Sequence, residues 1–273
     1  MMGASRFERF EKGEKPLFVP FITAGDPTSE ITVELALSLE KVGADAIELG
    51  IPYSDPLADG PVIQRASSRA LQAGMTLEKA MKLVSSMREK GLKIPVIIFT
   101  YYNLLLQLGE ERFFALASEN DIDGLLVPDL PFEESGELRQ QCQNKGISFI
   151  SLVAPTTSKE RLKQIGHSAK GFLYCISSLG VTGVRRELSS DLDVFLKKAK
   201  EYSNVPVLIG FGLSNKEQMQ SFNDLCDGFI IGSRIVSKIE ELGRELIQLE
   251  KRKEALESFE EFVSSLVPSF VYR

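Results

Sequence analysis

Glu48 closes the apolar run 45–50, DAIELG, and the loop that follows it to Pro61 carries Asp55 and Asp59, three prolines and no lysine or arginine. In a strand, Ala46 and Glu48 point to one side and Ile47 to the other. An unpaired buried carboxylate costs several kcal/mol, or its pKa rises until it takes up a proton. A proton held near neutral pH is what a general acid needs. The bland alternative pairs Glu48 with a base, yet the nearest basic residues in sequence are Lys41 and Arg65. Asp59, just before Gly60, either reaches back as a second carboxylate or sits in a simple turn with a solvated side chain. Residue chemistry leaves both open. Pro52, Pro56 and Pro61 restrict the loop, which lowers the entropy lost when it closes over a ligand.

A second group of residues suits an anion. Gly212 ends the run 205–212, Gly232 and Ser233 end the run 227–233, and Gly180 and Gly183 bracket the polar loop after 171–177. Glycines at strand ends let a backbone approach a ligand, and a helix beginning there offers N–H groups to a phosphate. The alternative is that they only shape tight turns. Tyr174 and Phe172 alternate along one strand, so one of them can bring its side chain to the open end; a tyrosine there either supplies a hydroxyl or is simply packed. Phe21, Phe99, Leu126, Val127 and Val153 are apolar strand-end residues that suit a flat aromatic group opposite the phosphate. Only one histidine is present, His167, after a glycine where a helix should stop, which fits a helix end better than catalysis. No His/Asp cluster suggests a metal.

Eight short apolar runs position these residues: 17–23, 45–50, 95–101, 124–129, 147–154, 171–177, 205–212 and 227–233. They are near-continuously apolar, as parallel strands covered on both faces are. Charged amphipathic segments separate them, at 28–43, 109–120, 133–146, 158–166, 189–203 and 215–225, with a tail helix over 237–262. Gly43, Gly91, Gly146 and Gly166 stand where C-terminal glycines belong, and Thr28, Ser158 and Ser214 where N-caps belong. Strand and helix alternating eight times predicts a single-domain (β/α)8 TIM barrel over 1–273, with an extra N-terminal helix at 7–13 and a long C-terminal helix. The runner-up is a doubly wound open sheet. In a barrel the active site lies at the strand C-termini, and phosphate sits beyond strands seven and eight.

The chain has 273 residues, 43% of them hydrophobic, and a formal charge of −6. That balance argues against nucleic-acid or anionic-membrane surfaces but not against small phosphorylated ligands. Cys142, Cys175 and Cys226 form no CxxC pair, so neither a disulfide framework nor a zinc site is indicated. No signal-peptide h-region or membrane-length apolar run is present, and a cytoplasmic location is expected.

PFITAGDP (20–27), ELGIPYSDPLADGP (48–61), FTYYN (99–103), PDLPFEES (128–135), GVTG (180–183), GFGLS (210–214) and IGS (231–233) together resemble the tryptophan synthase alpha chain family over almost the whole sequence. The resemblance implies retro-aldol cleavage of indole-3-glycerol phosphate to indole and glyceraldehyde 3-phosphate. It implies that Glu48 is the general acid–base, that Asp59 holds or deprotonates the indole N–H, and that Tyr174 stands beside the reacting groups. Phosphate contacts fall on Gly183, Gly212, Gly232 and Ser233. Thr182 matches the threonine of a closing loop, and Phe21 an indole-packing position. Indole leaves poorly until its ring carbon is protonated, so two carboxylates with opposite duties fit the chemistry.

The resemblance further implies an alpha2-beta2 heterotetramer with a beta chain that carries pyridoxal phosphate, this chain holding no cofactor. Pro52 and Asp55 are expected to face that partner. So are Asn103, Leu104 and Leu105, in the stretch 103–109 after strand three, where three consecutive leucines mark a partner surface or a packed minicore. Two departures from the family pattern are Ser177-Ser178-Leu179, where other members carry an arginine, and Arg234, where many have a small residue. Competing readings are a non-catalytic subunit that only activates a beta chain and a sugar-phosphate isomerase or epimerase on the same barrel.

Overall fold

The computed structural model describes residues 5–10, 16–176, 187–210, 216–222 and 224–266, with the backbone alone at 187–190 and 216–218. Nine parallel strand segments form one sheet in the order β5-β4-β3-β2-β1-β9-β8-β7-β6. They are β1 Leu17–Thr23, β2 Ile47–Gly50, β3 Val96–Phe99, β4 Gly124–Leu126, β5 Ser148–Phe149, β6 Ser151–Val153, β7 Leu173–Ile176, β8 Val207–Gly210 and β9 Gly228–Ile231. Only Ile150 separates β5 from β6, and its N–H still reaches the Leu125 carbonyl at 2.8 Å. The fifth predicted strand is therefore one stave broken at a single residue, and the ring closes through it as an eight-staved barrel. The (β/α)8 barrel expected from eight strand–helix repeats is the fold observed.

The barrel interior is filled by alternate strand residues, among them Val19, Phe21, Ala46, Ile97, Leu126, Phe172, Tyr174 and Leu208. The opposite faces of the same strands pack into a larger cluster under the helices. A short 3-10 helix at Arg6–Arg9, closed by a Ser5/Glu8 capping box, plugs the N-terminal end. Its Phe7 and the following Phe10 lie 6.4 and 6.5 Å from the Phe172 ring. Asp45, Asp123 and Asp227 stand just before β2, β4 and β9. Each accepts a backbone N–H at the foot of a neighbouring strand, from Phe18, Val96 and Val207, all at 2.8 Å. Those carboxylates set the register of the closed end and leave the other end free for chemistry.

The helices are α1 Ser29–Lys41, α2 Pro61–Gln72, α3 Leu77–Glu89, α4 Tyr102–Leu108, α5 Glu110–Glu119, α6 Gly136–Asn144, α7 Lys159–Ser168, α8 Glu187–Tyr202, α9 Lys216–Ser221, α10 Ser233–Ile247 and α11 Leu249–Leu266. Thr28 and Ser158 cap α1 and α7 as expected, accepting from Ile31 and Arg161 N–H. Gly43, Gly91 and Gly146 take positive φ after their helices. Gly166 differs: it lies inside α7, where a Cβ would stand 2.6 Å from the Tyr202 carbonyl. It is a close-packing glycine, and exposed His167 follows it in the last helical turn. The single tail helix is also corrected. It is two helices broken at Gln248, and Arg252 Nε donates to the freed Leu246 carbonyl at 3.0 Å. Ser214 and residues 11–13 lie outside the described residues. No helix among the described residues is long and apolar enough to cross a membrane.

Candidate active site

Adjacent strands bring the site together by register. Phe21 of β1 stands opposite Glu48 of β2, and Glu48 opposite Ile97 of β3. The Phe21 ring lies over Gly50, where any Cβ would collide with it, and meets Phe99 edge-on at 5.5 Å. The absence of a side chain at Gly50 is what lets the aromatic ring lie flat at the mouth. Across the barrel, the Tyr174 hydroxyl lies over Gly210 in the same way.

Glu48 is 1% exposed, and its Oε1 has no hydrogen-bond partner among the described residues. Burial alone pushes its carboxyl up to about 8. Neither basic residue nearest to it in sequence is its partner among the described residues: Lys41 binds Glu260 and Arg65 binds Glu240. Tyr174 is 4% exposed; burial, then the nearby Glu48 charge, raises its phenol well above the ordinary value. A neutral carboxyl beside a neutral phenol is the low-energy state of this pocket at neutral pH.

Asp59 is half-buried at the end of the loop, immediately before Gly60, the N-cap residue of α2. Burial raises its pKa, and a hydrogen bond from Tyr101 opposes that rise. The Tyr101 hydroxyl also accepts the Ala58 N–H at 3.0 Å, so one phenol holds both the loop backbone and the carboxylate. Tyr101 packs on Tyr53 with ring centroids 5.1 Å apart, and Asn103 Nδ2 donates to the Tyr53 hydroxyl at 3.2 Å. Sequence reasoning passed over Tyr101 within FTYYN; the signal was its position two residues beyond a mouth-facing Phe99. It also passed over Thr23, which follows Phe21 on the same strand face and keeps a buried Oγ1 without a partner.

Gly232 is the N-cap residue of α10, with Ser233 opening its first turn and no acidic residue there to compete for an anion. A Cβ on Gly232 would stand 3.5 Å from Phe21 Cβ, so the helix end adjoins the aromatic wall. Arg234 lies over the Phe262 ring at 5.5 Å. Thr182, Gly183 and Gly212, together with Gly180 and Ser177-Ser178-Leu179, lie outside the described residues. Leu126 faces the interior with Phe99, whereas Val127 and Val153 pack outward under the helices, a consequence of strand alternation.

The expected partner face is corrected in part. Asp55 and Asn103 are exposed and Leu104 is half-buried, but Pro52 and Leu105 turn inward, Leu105 being fully buried on α4. The stretch is a helix rather than a loop, so only part of the leucine run can face out. On these two segments the exposed large apolar side chains are Leu57 at the loop tip (84%) and Leu106 (55%).

Fold and site define a (β/α)8-barrel enzyme whose mouth sets a buried carboxyl against an aromatic wall and the N-terminus of a helix. The sequence profile of the family described as "Tryptophan synthase alpha chain" matches residues 7–266. A tryptophan synthase alpha chain of Bacillus pumilus is 56% identical over 265 residues, 97% of this chain and 98% of the relative. The structure is similar to a chain from the tryptophan synthase a2b2 complex of Pyrococcus furiosus, with TM-score 0.82 and 37% identity over 94% of this chain and 98% of that one. It is also similar to tryptophan synthase subunit alpha of Legionella pneumophila, with TM-score 0.82 and 33% identity over 97% of each. The chain belongs to the tryptophan synthase alpha chain family.

Proposed function

We propose that Glu48 and Asp59 carry out the family's reaction, cleavage of indole-3-glycerol phosphate to indole and glyceraldehyde 3-phosphate. The observation that carries the reading is Glu48: buried at the barrel mouth, with no partner for Oε1 among the described residues, where burial pushes its carboxyl up to about 8. At neutral pH that carboxyl gives its proton to the indole carbon bearing the glycerol chain. The Asp59 carboxylate takes the ring N–H, leaving a neutral indolenine. Glu48, now a carboxylate, removes the proton of the adjacent glycerol hydroxyl. The carbon–carbon bond breaks, its electron pair stays with the ring, and the ring nitrogen recovers the proton from Asp59. The aldehyde leaves as glyceraldehyde 3-phosphate, and both carboxyl groups end as they began.

The assignment suits the two environments. Glu48 has no donor to favour its anion, whereas Asp59 has the Tyr101 hydroxyl, which favours the carboxylate that must accept a proton. Phe21, Phe99 and Leu126 supply a flat apolar wall for the indole. Gly232 and Ser233 at the start of α10 supply phosphate contacts, joined by Thr182, Gly183 and Gly212. Tyr174 orients the glycerol chain beside Glu48.

The chain works with a pyridoxal phosphate-carrying beta chain in an alpha2-beta2 heterotetramer and holds no cofactor itself. Asp55, Asn103, Leu57 and Leu106 lie on the face offered to it. The cytoplasm is its place of work. Incubation with indole-3-glycerol phosphate and a beta chain, without serine, tests the reading: equal amounts of indole and glyceraldehyde 3-phosphate are expected. Absence of both products overturns it, as would turnover of a ribulose or triose phosphate in their place.

A further inference from the structure

Helix α2 begins two residues after Asp59, and three of its side chains reach out to neighbours. Gln64 Nε2 donates to the Asp59 carbonyl oxygen at 2.8 Å, which ties that residue's backbone to the first turn. Arg65 makes two bonds to Glu240 of α10, Nε to Oε1 at 2.9 Å and Nη2 to Oε2 at 2.7 Å. One turn further on, Arg69 holds both oxygens of Asp26, at 2.8 and 2.9 Å, and reaches Glu240 Oε1 through Nη1 at 2.7 Å. Positions 65 and 69 share one face of α2. Glu240 therefore accepts three bonds from that face, and its carboxyl is pushed down to about 2 by the two guanidinium groups.

Both ends of this chain of contacts lie on elements that carry site residues. Asp26 is buried in the loop after β1, the strand that carries Phe21. Glu240 lies about two turns along α10 from Gly232 and Ser233, where the helix N-terminus meets the substrate phosphate in the function proposed above. A helix is a stiff rod over two turns, so a phosphate seated on its end also fixes where Glu240 stands.

We infer that Arg65, Arg69 and Glu240 are positioning residues that couple phosphate binding at α10 to the placement of the Asp59 carboxylate. Phosphate sets α10, Glu240 sets α2 through the two arginines, and the first turn of α2 sets Asp59 through Gln64. Tyr101 holds the Asp59 carboxylate itself through its hydroxyl. Solvent-exposed ion pairs contribute little to stability, but bidentate arginine pairs impose a definite geometry. The consequence is kinetic rather than structural. Remote binding energy is converted into alignment of a group that acts only on the indole, the use of a non-reacting phosphate that raises turnover.

This inference rests on the function proposed above, and its test separates the two. Glu240 is the position to change, because Arg69→Met would strand the buried Asp26 charge. Wild-type and Glu240→Ala chains are compared in complex with a beta chain. The assay gives kcat for indole-3-glycerol phosphate and Ki for inorganic phosphate as a competitive inhibitor, which reports the anion site alone. Glu240→Ala is expected to lower kcat by about tenfold, in the range of small misalignments, with Ki within about twofold of wild type. Arg65→Ala loses kcat in the same way, and the double variant loses no more than the worse single one. The inference is overturned if kcat stays within about twofold of wild type in the folded variant, or if its loss is matched by an equal weakening of Ki. The functional reading fails separately, if the wild-type chain makes no indole or Asp59→Asn keeps full turnover.

Discussion

Replacing Glu48 with glutamine removes a titrating proton at nearly constant shape. In the folded chain burial holds that carboxyl at about 8, against an ordinary value of 4.5 that the unfolded chain retains. The folded state binds the proton more tightly. Its stabilising effect is complete below pH 4.5 and is lost as pH rises to about 8, where the folded carboxyl ionises in turn. The gap of about 3.5 pH units, at about 1.4 kcal/mol each, gives about 5 kcal/mol between the two ends. That is a ceiling, since water entering the open mouth screens the charge. Urea unfolding of both proteins at pH values from about 5 to about 9 measures it. The variant gains on the wild type as pH rises and passes it at the alkaline end. A difference that stays constant across the range would mean that Glu48 titrates at its ordinary value, and the reasoning from burial to general acid would be refuted. In the wild type, kcat/KM for indole-3-glycerol phosphate falls above pH 8, as the acid form of Glu48 is lost.

Three further outcomes are expected. Tyr101→Phe leaves the ring packed on Tyr53 but removes the hydroxyl shared by Asp59 and the Ala58 N–H; kcat falls by about ten- to a hundredfold while the thermal midpoint barely moves. Gly166→Ala lowers stability by about 1–3 kcal/mol in urea unfolding, because its Cβ meets the Tyr202 carbonyl, and this outweighs the better helix propensity of alanine. Thr23→Val, at a buried hydroxyl without a partner, leaves urea stability unchanged or raises it by about 1 kcal/mol.

The strands and Glu48 were legible in the sequence for one reason. A run buried on both faces has no solvent side on which to place a carboxylate, so an acid inside it has to be explained by the site. Register and closure follow from eight repeats of one unit. Helices α2, α3 and α4 were not read from the sequence, α2 and α4 being additions to the one helix that barrel closure asks for per connection, whereas α10 falls largely within the expected tail helix. Helix α2 follows Gly60, an N-cap without a side-chain hydrogen bond, and opens on a proline that in sequence reads as part of the loop. The break at Gln248 has no glycine or proline to announce it; Arg252, which bonds the freed carbonyl, is a tertiary partner. Of the two readings of the leucine run, partner surface or packed minicore, Leu105 takes the second. A leucine run has no facing until the helix that carries it is known. Tyr101, Arg69 and Glu240 act between elements distant in sequence, and no local pattern marks such contacts.

Glyceraldehyde 3-phosphate release from indole-3-glycerol phosphate by the Glu48→Gln chain, measured beside the wild type with a beta chain present, tests the central claim most directly. The buried acid accounts for a loss of about 10²- to 10⁴-fold in kcat, with substrate still bound. A Glu48→Gln chain that turns over at the wild-type rate would contradict it.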